Sequence, residues 1–209
     1  MHTTDQRGAL ASNRIEALSD GVFAIAMTLL VLELHLPEVH GEGAAALLAA
    51  LAHIWPKLVG FALGFILLGT LWVGHHYQFH FVRRSDRTLL WINLLFLLTI
   101  SALPFAVALL GRYWASPVAA VIYGGLLLLS GSMLLVHWSY ATSGRRLVAA
   151  TLPDRVIRAV RARILLGMVG YGVGVGLAFV WPLASIIAYA VMPVLYFLPG
   201  RIDRHLGDT

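Results

Sequence analysis

A chain of 209 residues that is 59% hydrophobic and 12% charged, with a mean hydropathy of +0.82, is too apolar for a soluble domain, in which about a quarter of residues are charged. Its apolar residues fall in long blocks, which suits membrane helices better than the alternating segments of a barrel. There is no cysteine, which excludes disulfides, thiolate metal sites and a cysteine nucleophile, and the net charge of +5 sits between apolar blocks, as in cytoplasmic loops rather than on a nucleic-acid surface.

About 20 apolar residues cross a bilayer as a helix. The hydropathy predicts an all-α integral membrane protein with six spans, at 17–36, 56–80, 89–110, 117–139, 163–181 and 183–199, in a single domain covering 1–209. The first ~13 residues lack the apolar core and cleavage site of a signal peptide, so the first span is expected to persist in the mature protein. Ala44–His53 is too short to span and is expected to be a short helix on the outer surface or capping a pore mouth. Trp181-Pro182 separates the last two spans by a tight turn, because proline disfavours helix at the residue before it.

With six spans, 13 of the 15 Lys and Arg residues share one side: Arg7, Arg14, Arg83, Arg84, Arg87, Arg145, Arg146, Arg155, Arg158, Arg161, Arg163, Arg201 and Arg204. Lys57 and Arg112 lie opposite. The positive-inside rule then puts both termini in the cytoplasm, and places the chain in the cell (inner) membrane as a multi-pass protein. Trp55, Trp114 and Trp181 fall at the predicted outer ends, where interfacial aromatics concentrate. Arg145–Arg163 reads as a basic cytoplasmic linker with a general affinity for anionic lipid.

The first span, Arg14 to Leu36, carries the most information. At helical period, Ile25, Leu29, Leu32 and Leu36 form one stripe, with Thr28 at its edge, while Ser19 and Asp20 lie well off it. Such a stripe is ordinarily lipid-facing or packed. Its functional reading is a pore lining whose bulky aliphatics form a constriction that dewets when narrow. Thr28 could touch a partly dehydrated ion, or simply bond back to the Ala24 carbonyl. Asp20 costs about 2.5–3.5 kcal/mol at mid-membrane on insertion scales, so a partner inside the protein is expected. Trp72, His75, His76 and Asn93 reach the same depth from the second and third spans, with Arg14 just outside. These groups make either a hydrogen-bonded anchor for the first helix or a proton relay.

Two tempting motifs have plainer readings, the first as one histidine serving the Asp20 network with the others interfacial, the second as helix packing. His75, His76 and His80 resemble a histidine box, yet only isolated His2, His137 and His205 share their side and no carboxylate completes a site, so no metal is expected. Val169-Gly170-Tyr171-Gly172 spells a potassium-filter core, but inside a continuous apolar run rather than a re-entrant loop. The spacings Gly170-x3-Gly174 and Gly172-x3-Gly176 suit close helix packing instead. G-x-S-x-G, Walker and H-E-x-x-H motifs are absent, so no enzyme chemistry and no cofactor is expected.

Arg14-x3-Leu18-Ser19-Asp20, followed by Ala24 and Thr28, resembles the first-helix signature of the transmembrane protein 175 family of potassium channels, R-x3-F-S-D-x3-A-x3-T, with Leu18 in place of Phe. Trp72–His76 and Asn93 are similar to the family as well. The resemblance implies a homotetramer in which four first helices line the pore without a carbonyl filter. It assigns the constriction or gate to Ile25, Leu29 and Leu32, selectivity to Thr28, and an anchoring network to Arg14, Ser19, Asp20, Trp72, His76 and Asn93. It implies K+, and less readily other monovalent cations, as permeant ions near Ile25 and Thr28, with membrane lipid and further copies of the chain as partners and no nucleic acid. The alternative reading is a proton-coupled secondary transporter using Asp20 and the cytoplasmic-side histidines. A membrane metalloenzyme built on the histidine cluster ranks behind both.

Overall fold

The computed structural model describes residues 3–35 and 43–197. Seven α-helices follow in order: α1 (Thr3–Leu29), α2 (Ala44–His53), α3 (Trp55–Phe81), α4 (Arg87–Arg112), α5 (Pro117–Thr142), α6 (Asp154–Ala178) and α7 (Pro182–Phe197). The 27 residues of α1 run about 40 Å, longer than a hydrocarbon core of about 30 Å, so its polar first turns project beyond the apolar segment. α1 tightens into a 3-10 turn at Leu30–Glu33, which places Leu32 past the end of the α-helix proper. The short helix expected at Ala44–His53 is α2.

Among the described residues, five segments are long and apolar enough to cross a membrane: Ser12–Glu33, Lys57–Phe81, Arg87–Arg112, Pro117–Arg145 and Asp154–Ala178. The sixth expected span corresponds to α7, a shorter apolar helix of 16 residues, or about 24 Å. Leu36 of the stripe, the end of the predicted sixth span, His2, Arg201, Arg204 and His205 lie outside the described residues.

Helix starts follow local chemistry. Pro117 and Pro182 open α5 and α7, where a missing N–H costs nothing. Asp86 caps α4 by accepting the Leu89 N–H at 2.8 Å. Pro153 precedes α6, which begins nine residues before the expected Arg163 boundary. Arg155, Arg158, Arg161 and Arg163 therefore ride on helix rather than linker. Hydropathy marks where lipid begins, whereas arginine is a good helix former and lets the helix run out into water.

α4, α5, α6 and α7 pack in sequence order, and α1 lies across α3 and α4. The core between them holds Phe23, Leu68, Phe96, Leu103, Leu127 and Trp138. Polar stitches cross it: Ser130 to Thr99 at 2.8 Å, the Trp138 indole N–H to the Ile157 carbonyl at 3.1 Å, and the Tyr189 hydroxyl to the Ala120 carbonyl at 3.0 Å.

At the arginine-rich end, the α3–α4 and α5–α6 connections are tied together. Val82 and Val148 form an isolated antiparallel bridge, and Arg83 N–H donates to the Leu147 carbonyl at 2.8 Å. Arg145 adopts a left-handed backbone (φ 55°) and fans its guanidinium onto the Ala150 and Leu152 carbonyls and the Asp154 carboxylate.

The filter-like sequence at Val169–Gly172 is uninterrupted helix within α6. A Cβ at Gly170 would strike Met192, and one at Gly174 would strike Tyr189, so this glycine pair seats α7. Gly172 and Gly176 face open space, so the second pair seats nothing among the described residues.

Candidate functional site

α1 has two faces. Ser12, Ile15, Ser19, Phe23, Ala26 and Leu30 repeat at three- and four-residue intervals and are all buried against α3 and α4. The opposite face is bare: Leu18 is 50% exposed, Ile25 60%, Leu29 42% and Leu32 65%. Thr28 is exposed with them. Its hydroxyl donates to the Ile25 carbonyl at 2.8 Å, one residue from the Ala24 partner considered above.

The buried face is fixed by a directed hydrogen-bond chain. Ser19 O–H donates to the Ile15 carbonyl at 2.9 Å. Asn93 Nδ2 donates to Ser19 Oγ at 3.1 Å. That orientation leaves Asn93 Oδ1 as the acceptor for His75 Nε2, 2.8 Å away, so this ring nitrogen carries the proton. α1, α3 and α4 each contribute one side chain. The His75 ring stacks on Phe96 with centroids 5.0 Å apart, and Phe79 lies on another side at 4.7 Å.

Asp20 is not in that chain. It is exposed at the edge of α1 and accepts the Trp72 indole N–H at 2.8 Å. His76, expected beside Asp20, instead places Nδ1 3.0 Å from Glu16 Oε1 while its ring stacks on Trp72. The single cluster expected from depth is thus two: a buried Ser19–Asn93–His75 chain and an exposed Asp20–Trp72 and Glu16–His76 pair. The split follows from helical geometry. Ser19 and Asp20 are about 100° apart on α1, as are His75 and His76 on α3, so neighbours in sequence cannot share a face. Arg14 is exposed and has no hydrogen-bond or ion-pair partner among the described residues.

Sequence reasoning missed Glu16 and Gln78, and read His137 as isolated. Glu16 precedes Asp20 by one turn, a spacing that could have exposed it. His137 is fully buried, with its ring centroid 5.6 Å from that of His75. It is fixed by Gln78, whose Nε2 donates to the Leu134 carbonyl at 3.2 Å and whose Oε1 lies 2.8 Å from His137 Nδ1. His75, His76 and His80 do not converge: His75 is buried on one face of α3 and the other two are exposed. No group of three potential metal ligands forms among the described residues.

Residues 14–104, which hold this arrangement, match the model of a family described as the endosomal/lysosomal potassium channel TMEM175. A potassium channel of Streptomyces collinus is 37% identical over 189 residues, covering 88% of this chain and 91% of that protein. The chain belongs to the TMEM175 family. The crystal structure of a lysosomal potassium-selective channel TMEM175 homolog from Chamaesiphon minutus superposes with a TM-score of 0.78 at 31% identity, over 90% of this chain and 97% of that one. The mouse endosomal/lysosomal proton channel TMEM175 is 35% identical over 108 residues, about half of this chain and 22% of that protein. TMEM175 proteins are ion channels rather than enzymes, and this member is a multi-pass membrane protein.

Proposed function

We propose that four copies of this chain form a channel that passes K+ in preference to Na+, with α1 of each copy lining the pore. The observation that carries this reading is the uncovered stripe Ile25, Leu29 and Leu32, set on α1 opposite a face locked into the chain's own core. Fourfold repetition of that stripe makes a hydrophobic constriction that conducts when it widens and wets. No carbonyl filter is involved.

Thr28 supplies the selectivity contact. Its hydrogen is committed to the Ile25 carbonyl, so its lone pairs face outward and suit a partly dehydrated cation. Ser19, Asn93, His75, Trp72 and Asp20 set the rotation of α1 about its axis, and hence the direction in which the stripe faces. α7 completes six spans. Both termini and the arginine-rich connections lie in the cytoplasm of the cell inner membrane.

The test is reconstitution into liposomes with a K+-over-Na+ flux assay. Electrodiffusive K+ flux that exceeds Na+ flux is expected. Strictly coupled, saturable exchange of cation for protons would overturn the channel reading in favour of a transporter using Asp20 and the histidines.

A further inference from the structure

The backbones of α3 and α6 do not approach closely. Between them, floored by α5, a cleft with a cavity of about 260 Å³ reaches as far as Val160 and Arg163 on the arginine-rich half of α6. Its walls are Leu71, Val73, Leu134, Ile164 and Met168, hollowed by Gly74, Gly131 and Gly167, one glycine from each of the three helices. The α6 wall runs from Val160 to Tyr171, about 16 Å along the helix. Arg163 lines the end nearest the arginine-rich connections. Arg155, Arg158 and Arg161 lie within three turns of it on the same helix, against one acidic residue, Asp154. Exposed His80 sits one turn beyond Tyr77 at the same end of α3.

We propose that this cleft holds one acyl chain of an anionic phospholipid, with the lipid phosphate held by Arg163. The shape and the charge each narrow the occupant. The walls are apolar and lie within membrane-crossing segments, so a hydrocarbon chain fills the hollow at no desolvation cost. The cationic mouth lies where α6 leaves the hydrocarbon, the level of the headgroups, and basic pockets between spans at that level take anionic heads. Arginine gives two parallel N–H donors to a phosphate, which a choline headgroup partly neutralises and a glycerol headgroup does not. The opposite side of α3 carries Trp72, His75 and His76, so a lipid wedged here braces the helix that clamps α1. The binding claim itself is independent of the pore reading.

Protein purified in mild detergent and exchanged into mixed phosphatidylglycerol and phosphatidylcholine micelles would be weighed by native mass spectrometry to count retained lipids. Wild type is expected to retain phosphatidylglycerol over phosphatidylcholine by about tenfold, the scale of one charge-assisted contact. Arg163→Gln should lose that preference, and Arg163→Lys should keep most of it. Val73→Trp, at an exposed position in the wall, should fill the cleft and reduce retention of both lipids. Equal retention of the two lipids by wild type would overturn the proposal, as would wild-type behaviour of Val73→Trp. Disulfide capture of a second copy by Val73→Cys would show the cleft to be a subunit contact and would equally overturn it.

Discussion

Asn93 donates its amide N–H to the Ser19 hydroxyl at 3.1 Å, bridging 74 residues of sequence, and accepts from His75 Nε2 through its other end. One amide thereby fixes three helices at a common depth and rotation. Asn93→Leu would strand the buried His75 N–H and the Ser19 lone pairs. Each unsatisfied buried group costs about 1–3 kcal/mol, so a clear drop in the thermal midpoint in detergent is expected. Ser19→Ala strands one buried donor, the Asn93 amide N–H, and should cost less. The ordering of the two midpoints is the check.

Ile25→Asn places an amide on the exposed stripe without touching the buried face. It should ease wetting of the constriction and raise leak current in planar bilayers at unchanged thermal stability. Unchanged conductance in a folded Ile25→Asn channel would remove Ile25 from the constriction.

Trp72→Phe keeps a ring to stack on His76 but deletes the N–H that Asp20 accepts. Trp72→Phe and Asp20→Ala should both lower the yield of assembled oligomer on gel filtration and leave unitary conductance unchanged. If assembly is intact and the pH dependence of the current shifts instead, Asp20 belongs to a proton relay rather than to an anchor.

Asp86 lies outside the spans. Partial burial by itself raises its pKa, but hydrogen bonds from the Leu89 N–H and the Tyr140 hydroxyl, with the Arg146 guanidinium nearby, hold it below the ordinary 3.8. The folded state therefore favours the carboxylate. Its contribution is complete above pH 3.8 and is lost as pH falls through the lower folded value. Asp86→Ala should cost about 1 kcal/mol at neutral pH as a lost helix cap. It should also flatten the fall in thermal midpoint expected of wild type below pH 3.8.

Gly174→Ala forces a Cβ into Tyr189 and should loosen α7 from α6, at about 1–3 kcal/mol for overpacking. Gly172→Ala meets nothing within 4 Å and should be neutral or mildly stabilising, because alanine is the better helix former by about 1 kcal/mol. Melting of the two variants side by side checks the assignment of one glycine pair, and not the other, to the helix seat.

Much of the fold was legible in hydropathy, because each span must satisfy its backbone internally and bury an apolar length set by the bilayer. The boundaries erred where that constraint stops applying. α1 and α6 extend beyond the apolar runs on polar and arginine-rich turns. The anchor was legible as a set of residue types at one depth, but its wiring was not. His75 and His76 are adjacent, chemically identical and equally deep. Only the rotation of α3 against α4 and α1 decides that His75 meets Asn93 while His76 meets Glu16.

The sequence by itself determined that this chain lives in a membrane as a bundle of helices, that α1 carries an aliphatic stripe apart from a polar motif, and which family motif it bears. These properties follow from composition and period, which are local. Tertiary structure alone decided which face of α1 the chain covers, which histidine is buried, and that Gly170 and Gly174 rather than Gly172 and Gly176 seat α7. Each of these depends on where a second helix stands, and an apolar helix is equally content against lipid or protein until a close-fitting partner, or a polar group with no other bond to make, fixes its rotation.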